Sequence, residues 1–313
     1  MTCLVTGSTG LVGSALVKAV AARGDHVVAA ARSVEKARRM FGGVDGVEVV
    51  EWDVMLPFDE SILPCAVDCM VHAAAETASR NMVQRPVETM AVTLDGTRNA
   101  LDLARRLGLR GMVFLSSMEV YGSPQDGKVI SEGDVGLLDH LAPRSSYPLS
   151  KRMAEGMCAA YAREYGIPVC IARLAQVIGS ELMDGDARVI SQFARSVAAG
   201  EDLVLHTDGA SARCYCAIDD AVDAVLLLLE RGAAGEAYNV ANEGTYCSIR
   251  ELAEMLCERH PRSHVVIRPV EGMGYAPASR LRLSAAKLEG LGWRPRVGLM
   301  EAYDRLIASR REG

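Results

Sequence analysis

Short apolar runs alternate with helix-periodic segments over the first 175 residues of the chain. The runs 2–6, 26–31, 47–51, 69–72, 111–116 and 169–173 have strand length and are nearly continuous in apolar residues, as strands buried on both faces are. Between them, 11–22, 34–40, 86–107 and 147–165 repeat apolar residues at helical spacing, and Gly24, Gly108 and Gly166 stand where three of these helices should stop. Strands alternating with helices of this length predict an α/β fold, a doubly wound parallel sheet. The pattern loosens after Arg173. Short β-like pieces at 203–205, 214–218 and 265–269 mix with helical segments at 189–199, 219–230 and 248–258, while 236–240 reads as a strand returning to the sheet. The expected division is a sheet domain over 1–174 and a smaller α+β substrate lobe over 175–313, which closes over the crevice at the carboxyl ends of the strands.

Composition narrows the function without naming it. The 313 residues are half hydrophobic and about a quarter charged, with no low-complexity tract. A net charge of −6 argues against a nucleic-acid surface, which needs clustered Lys and Arg in excess. The apolar run 221–229 is far short of the roughly 18 residues a bilayer span requires, and the first residues do not read as a signal peptide, so the expected location is cytoplasmic. Nine cysteines are scattered without metal spacing. The nearest candidates are Cys65 with Cys69 and Cys214 with Cys216, and the expectation is buried free thiols and no metal.

The segment TGSTGLVG follows the first predicted strand and opens the first helix, placing Gly7, Gly10 and Gly13 around Ser8, Thr9, Leu11 and Val12. A pyrophosphate must come close to the backbone N–H groups at a helix start, where side chains would block it, so this loop in this place predicts a Rossmann-type NAD(P) site. The acid that usually reads the ribose after the second strand is missing. Arg32 and Ser33 stand there instead and suit a 2′-phosphate, which tilts the choice from NAD to NADP. Asp53, after the third strand, is placed to accept from the adenine amino group.

Two polar stretches remain. SSMEVYG follows the apolar run MVFL with Ser116, Ser117 and Glu119, and SYPLSK puts Tyr147 and Lys151 four apart on one helix face. An ammonium beside a phenol favours the phenolate, and a hydroxyl donor, a phenol and a lysine are the parts a hydride-transfer site requires.

With these motifs together, the sequence resembles the extended short-chain dehydrogenase/reductase family, in its NAD-dependent epimerase/dehydratase group acting on nucleotide sugars. The resemblance runs through TGSTGLVG, HAAA, GTRNAL, SSMEVYG, SYPLSK, the segment from Arg173 to Gly179 and LGWRP. It implies Ser117, Tyr147 and Lys151 as the catalytic set. It implies a cofactor wall of Ala73, Ala74 and Ala75 with Val54, Thr93 and Leu174, and Tyr147 and Lys151 beside it. KRMAEGMCAAYAREYGIPVCIARLAQVIG is most like UDP-glucuronate decarboxylases. That likeness implies substrate-side roles for Gln176, Arg188, Arg213 and Arg280, and makes Glu119 an acid used after hydride removal. Thr93 and Gln176 replace asparagines of the family pattern, and Ser180 replaces a proline.

The expected activity is transient oxidation of a nucleotide sugar leading to epimerisation, dehydration or decarboxylation. An NADP-dependent carbonyl reductase or dehydrogenase of a sugar or other small alcohol keeps the same serine, tyrosine and lysine and fits Arg32. A non-catalytic dinucleotide-sensing protein would have no need of them. The family resemblance also implies a homodimer through the helices at 86–107 and 147–165.

Overall fold

The computed structural model describes residues 1–124, 127–180, 186, 188–270 and 279–312. The first half of the chain runs β1 (Thr2–Thr6), α1 (Leu11–Ala22), β2 (His26–Ala31), α2 (Val34–Phe41), β3 (Val47–Glu51), β4 (Cys69–His72), α3 (Ser79–Gln84), α4 (Pro86–Leu107), β5 (Gly111–Ser117), β6 (Val129–Ile130), α5 (Ser146–Tyr165) and β7 (Val169–Leu174). The second half runs β8 (Gln176–Ile178), α6 (Val189–Ala199), β9 (Leu203–Leu205), β10 (Ala212–Ala217), α7 (Ile218–Arg231), β11 (Ala237–Val240), β12 (Asn242–Ser248), α8 (Ile249–Arg259), β13 (Val265–Ile267), β14 (Arg280–Leu283), α9 (Ala286–Glu289) and α10 (Leu299–Glu312).

Seven strands form one parallel sheet in the order β11-β7-β5-β4-β1-β2-β3. Its residues alternate between two cores. Cys3, Val5, Val27, Ala29 and Val71 pack under α1 and α7, whereas Leu4, Val28, Ala30, Met70 and Phe114 pack under α4 and α5. Burial on both faces is why these strands read as apolar runs. Strand order reverses between β1 and β4, so the turn after β1 and the segment after β4 open side by side at a topological switch point, where α/β sheets hold their ligands.

The run at 236–240 does return, as edge strand β11 paired to β7. The helix expected at 219–230 is α7, which begins one residue earlier, at Ile218, and buries Ala221, Val225 and Leu228 against the main sheet. The LGWRP segment and the two residues after it hold it there: Trp293 Nε1 donates to the Asp220 carbonyl at 3.0 Å, and the buried Asp220 carboxylate accepts the Arg296 and Val297 amides at 3.0 Å each. A second sheet, β12-β10-β14-β6 with β8 on β10, and a two-stranded pair β13-β9 lie on the other side of the crevice, over a core that includes Ile190, Phe193, Leu252, Leu256 and Tyr303.

Candidate active site

A cavity of about 780 Å³ lies along the carboxyl ends of β1, β4, β5 and β7, with residues of β8, α6 and β10 opposite. At one end it is floored by Gly7, Thr9, Gly10, Leu11, Val12 and Gly13. Gly10 is the N-cap of α1, no side chain caps it and the first turn has no acid, so the initial N–H groups of the helix are left for an anion. The glycines are required by contact. A Cβ on Gly7, whose φ is +61°, would lie 2.7 Å from the Ala74 backbone, and one on Gly13 would lie 2.2 Å from the Gly7 carbonyl oxygen. This cradle fits a dinucleotide pyrophosphate.

The wall beyond is Ala31, Arg32, Ser33 and Lys36 on one side and Trp52, Asp53 and Val54 on the other. Ser33 caps α2 by accepting the Lys36 amide at 3.3 Å, and the Lys36 ammonium donates to the Thr9 carbonyl at 3.3 Å. Arg32 is exposed and has no ion-pair or hydrogen-bond partner among the described residues. One Asp53 oxygen is already taken by the Met55 amide at 3.0 Å.

The inner end brings Ser117, Glu119, Tyr147, Lys151, Leu174 and Gln176 into one wall with Ala73, Ala74 and Ala75. The apolar stripe of α5 turns Tyr147, Lys151, Ala154 and Cys158 inward together, so the helix face that packs the core also delivers the phenol and the ammonium. The Lys151 ammonium donates to the Leu115 carbonyl at 2.7 Å and lies 4.5 Å over the Phe114 ring and 5.9 Å from that of Tyr147. Burial lowers its pKa to about 8, with the Glu155 charge partly opposing, so it remains a cation at neutral pH. Burial also pushes the Tyr147 phenol well above its ordinary value. The Glu119 charge adds to the rise, while the nearby Ser117 hydroxyl and the charges of Arg144 and Arg188 oppose it. Ser117 Oγ also accepts the Glu119 amide at 3.2 Å, which fixes the turn after β5.

Glu119 is paired. One nitrogen of Arg144 donates to both of its carboxylate oxygens, at 2.8 and 3.0 Å. Arg188 lines the wall with its guanidinium held by Asp186, Nε at 2.9 and 3.1 Å from the two carboxylate oxygens. Arg213 lines it too, and its buried Nε has no hydrogen-bond partner among the described residues, which suits an arriving acceptor.

Three expected residues lie off this wall. Ser8 is fully buried and donates to the Ala30 carbonyl at 3.0 Å, so it braces the glycine loop from beneath. Thr93 points into the packing of α4, its hydroxyl bonded to the Thr89 carbonyl at 3.1 Å, and Val92 faces the cavity instead. Arg280 opens β14 beside Ala212, exposed and outside the cavity lining. Conversely, Lys36, Arg144 and Tyr215 belong to the wall without having been singled out. Each carried a signal: Lys36 is four residues past Arg32, Arg144 is three before Tyr147, and Tyr215 shares the strand face of Arg213 by the two-residue alternation.

The fold and this cavity define an enzyme of the Rossmann-like, NAD-dependent class, with Tyr147 and Lys151 side by side in the cavity wall. The chain belongs to the NAD dependent epimerase/dehydratase family, whose family model matches residues 3–241. It is similar to UDP-glucuronic acid decarboxylase 1 of Danio rerio, 30% identical over 309 residues that make up 97% of this chain and 71% of that one. It is likewise similar to UDP-glucuronic acid decarboxylase 3 of Arabidopsis thaliana, 32% identical over 306 residues, 96% of this chain and 86% of the other. Among solved structures, an epimerase of Methanothermobacter thermautotrophicus superposes with a TM-score of 0.85 at 26% identity, covering 99% of this chain and 92% of its own. The dTDP-glucose 4,6-dehydratase of Streptomyces venezuelae, solved with NAD and TYD bound, superposes at 0.83 with 27% identity, covering 100% of this chain and 98% of that one.

Proposed function

We propose that the enzyme decarboxylates a UDP-linked uronic acid by transient oxidation of the sugar, with Tyr147, Lys151 and Ser117 as the acid–base centre. The observation that carries this reading is the Glu119 carboxylate, set in the same wall as Tyr147 and held there by Arg144. The similarity to two decarboxylases over nearly the whole chain supports it.

Losing a carboxylate from C6 requires an electron sink one carbon beyond C5, that is, a carbonyl at C4. NAD(P), when bound, supplies the reversible hydride acceptor that makes this carbonyl and later removes it. The residues of the chain manage the protons. Tyr147, as phenolate, takes the proton of the C4 hydroxyl, and the charges of Arg144 and Arg188, with the Lys151 cation 5.9 Å from its ring, favour the phenolate against its burial. Ser117 hydrogen-bonds the developing C4 carbonyl. The C5–C6 bond then breaks, its electron pair passes into the C4 carbonyl as an enolate, and carbon dioxide leaves. The enolate takes a proton at C5, drawn from solvent and relayed by Glu119, as the C4 carbonyl re-forms. Tyr147 returns its proton when C4 is reduced again, so the cofactor is not consumed.

The finer assignments belong to the same reading. Arg32, Ser33 and Lys36 at the ribose end, with no acid among them, favour NADP over NAD. The outer faces of α4 and α5 expose Val87, Met90 and Met153, which suits a second copy of the chain and a homodimer. A cytoplasmic location fits nine cysteines that are all free thiols. Among the described residues no helix is long and apolar enough to cross a membrane. Incubation with UDP-glucuronate and either cofactor, with product mass as readout, tests the activity. Loss of one carbon dioxide without stoichiometric cofactor reduction is expected, and loss of water or an unchanged mass would contradict it.

A further inference from the structure

Resting on that reading, we propose that Arg144 is the residue that selects a uronate over a neutral hexose, by taking the sugar carboxylate on the edge of its guanidinium that Glu119 leaves free. Arg144 engages Glu119 through a single nitrogen. Its Nε and other terminal nitrogen meet no acceptor among the described residues, yet the side chain lines the cavity at 36% exposure. A guanidinium that holds one carboxylate on one nitrogen still offers a planar pair of N–H donors, the geometry that carboxylates bind.

Position points the same way. Arg144 sits in the short turn Pro143–Ser145 that runs directly into α5, so its backbone is fixed to the helix that carries Tyr147. A sugar whose C4 hydroxyl lies at Tyr147 has its C6 carboxylate only two carbons away, within the neighbourhood where Glu119 and Arg144 act on the phenol. Without a cation there, a uronate would bring its charge against Glu119. Arg144 between the two carboxylates turns that repulsion into a bridge. The other cavity arginines are less suited, since Arg188 already has Nε and a terminal nitrogen on Asp186, and Arg213 lies on β10 in the opposite lobe. A hexose with CH2OH at C6 makes no use of the free edge.

The test compares binding of UDP-glucuronate and UDP-glucose by calorimetry, in a Tyr147→Phe background so that neither is consumed. Arg144→Gln should lower the affinity ratio of the two by roughly ten- to a hundred-fold, the loss expected for hydrogen bonds between charged groups, with UDP-glucose binding kept within about three-fold as the check on folding. Arg144→Lys, which keeps the charge and loses the fork, should fall between. Adding Glu119→Gln to Arg144→Gln separates direct from indirect action. If the ratio stays lost in the double variant, Arg144 reads the substrate itself. If the double variant restores the ratio, if Arg144→Gln leaves it unchanged, or if the unsubstituted background shows no preference for UDP-glucuronate, the inference is overturned. Carbon dioxide release by the wild-type enzyme is scored separately, so decarboxylation with an unchanged ratio overturns this inference and leaves the reaction standing.

Discussion

Ser116 on β5 donates its hydroxyl to Glu155 on α5 at 2.6 Å, and the same carboxylate accepts Arg173 of β7 at 2.7 and 3.0 Å. Arg173 continues to the Tyr121 hydroxyl at 2.9 Å, and Tyr121 donates to Asn239 of β11 at 2.6 Å. The SSMEVYG stretch is thereby divided. Ser116 and Tyr121 anchor it to a buried network, while Ser117 and Glu119 are left to face the cavity.

Glu155→Ala should therefore destabilise the fold by about 3–5 kcal/mol, because it leaves the buried Arg173 charge without its partner. Urea unfolding at neutral pH measures this. A loss below about 1 kcal/mol would show that the network does not hold the strand ends.

His72 gives stability a pH dependence of known sign. It is fully buried at the end of β4, with Nδ1 2.7 Å from the Thr6 hydroxyl, and burial lowers its pKa from 6.5 to about 3, the Lys151 charge adding to the effect. Below pH 6.5 the unfolded chain takes up a proton that the folded one refuses. The stability is thus fully present above 6.5 and falls as pH drops toward the folded pKa, by about 1.4 kcal/mol per unit from this one group. His72→Asn, which keeps an amide near Thr6, should flatten the slope between pH 6 and 4.5 by roughly that amount in paired urea titrations. Identical slopes would remove His72 from the account.

The cofactor preference turns on Arg32. Arg32→Asp should cut NADP affinity by about ten-fold or more and leave NAD affinity equal or improved, since it exchanges a phosphate partner for a hydroxyl partner. Calorimetric titration with both dinucleotides decides, and an unchanged ratio would make Arg32 a solvated side chain.

Gly13→Ala examines the cradle. Its new methyl meets the Gly7 carbonyl oxygen at 2.2 Å, backbone against backbone, so α1 must shift from the loop. Dinucleotide affinity should fall about ten-fold or more in the same titration, and wild-type affinity would show that the loop tolerates the shift.

The main sheet was legible in sequence because burial on both faces writes its inner strands as apolar runs, only the edge strand β3 (VEVVE) being interrupted by exposed acids, and its six early strands and four main helices stand within one residue of expectation at either end. The small sheet was not. β12 is the polar NEGTYCS, β6 has two residues, and RLRL in β14 buries only alternate positions. Of the site, Gly7, Gly10, Gly13, Ser117, Tyr147 and Lys151 were legible because each sits at the end of a strand or start of a helix that periodicity fixes. Arg144 was missed although it stands three residues before Tyr147, because its pairing with Glu119 across 25 residues shows only in the fold. Thr93 was placed by family position, and the rotation of α4 sends it inward and Val92 toward the cavity.

The central claim is that hydride leaves and returns to one carbon of one sugar while Tyr147 carries the proton. UDP-glucuronate deuterated at C4, turned over to completion with a catalytic amount of unlabelled cofactor, tests it most directly. The account predicts a UDP-pentose that retains deuterium at C4, with no reduced cofactor accumulating and no product from the Tyr147→Phe enzyme. Label lost from C4, cofactor reduced mole for mole, or turnover persisting in Tyr147→Phe would contradict it.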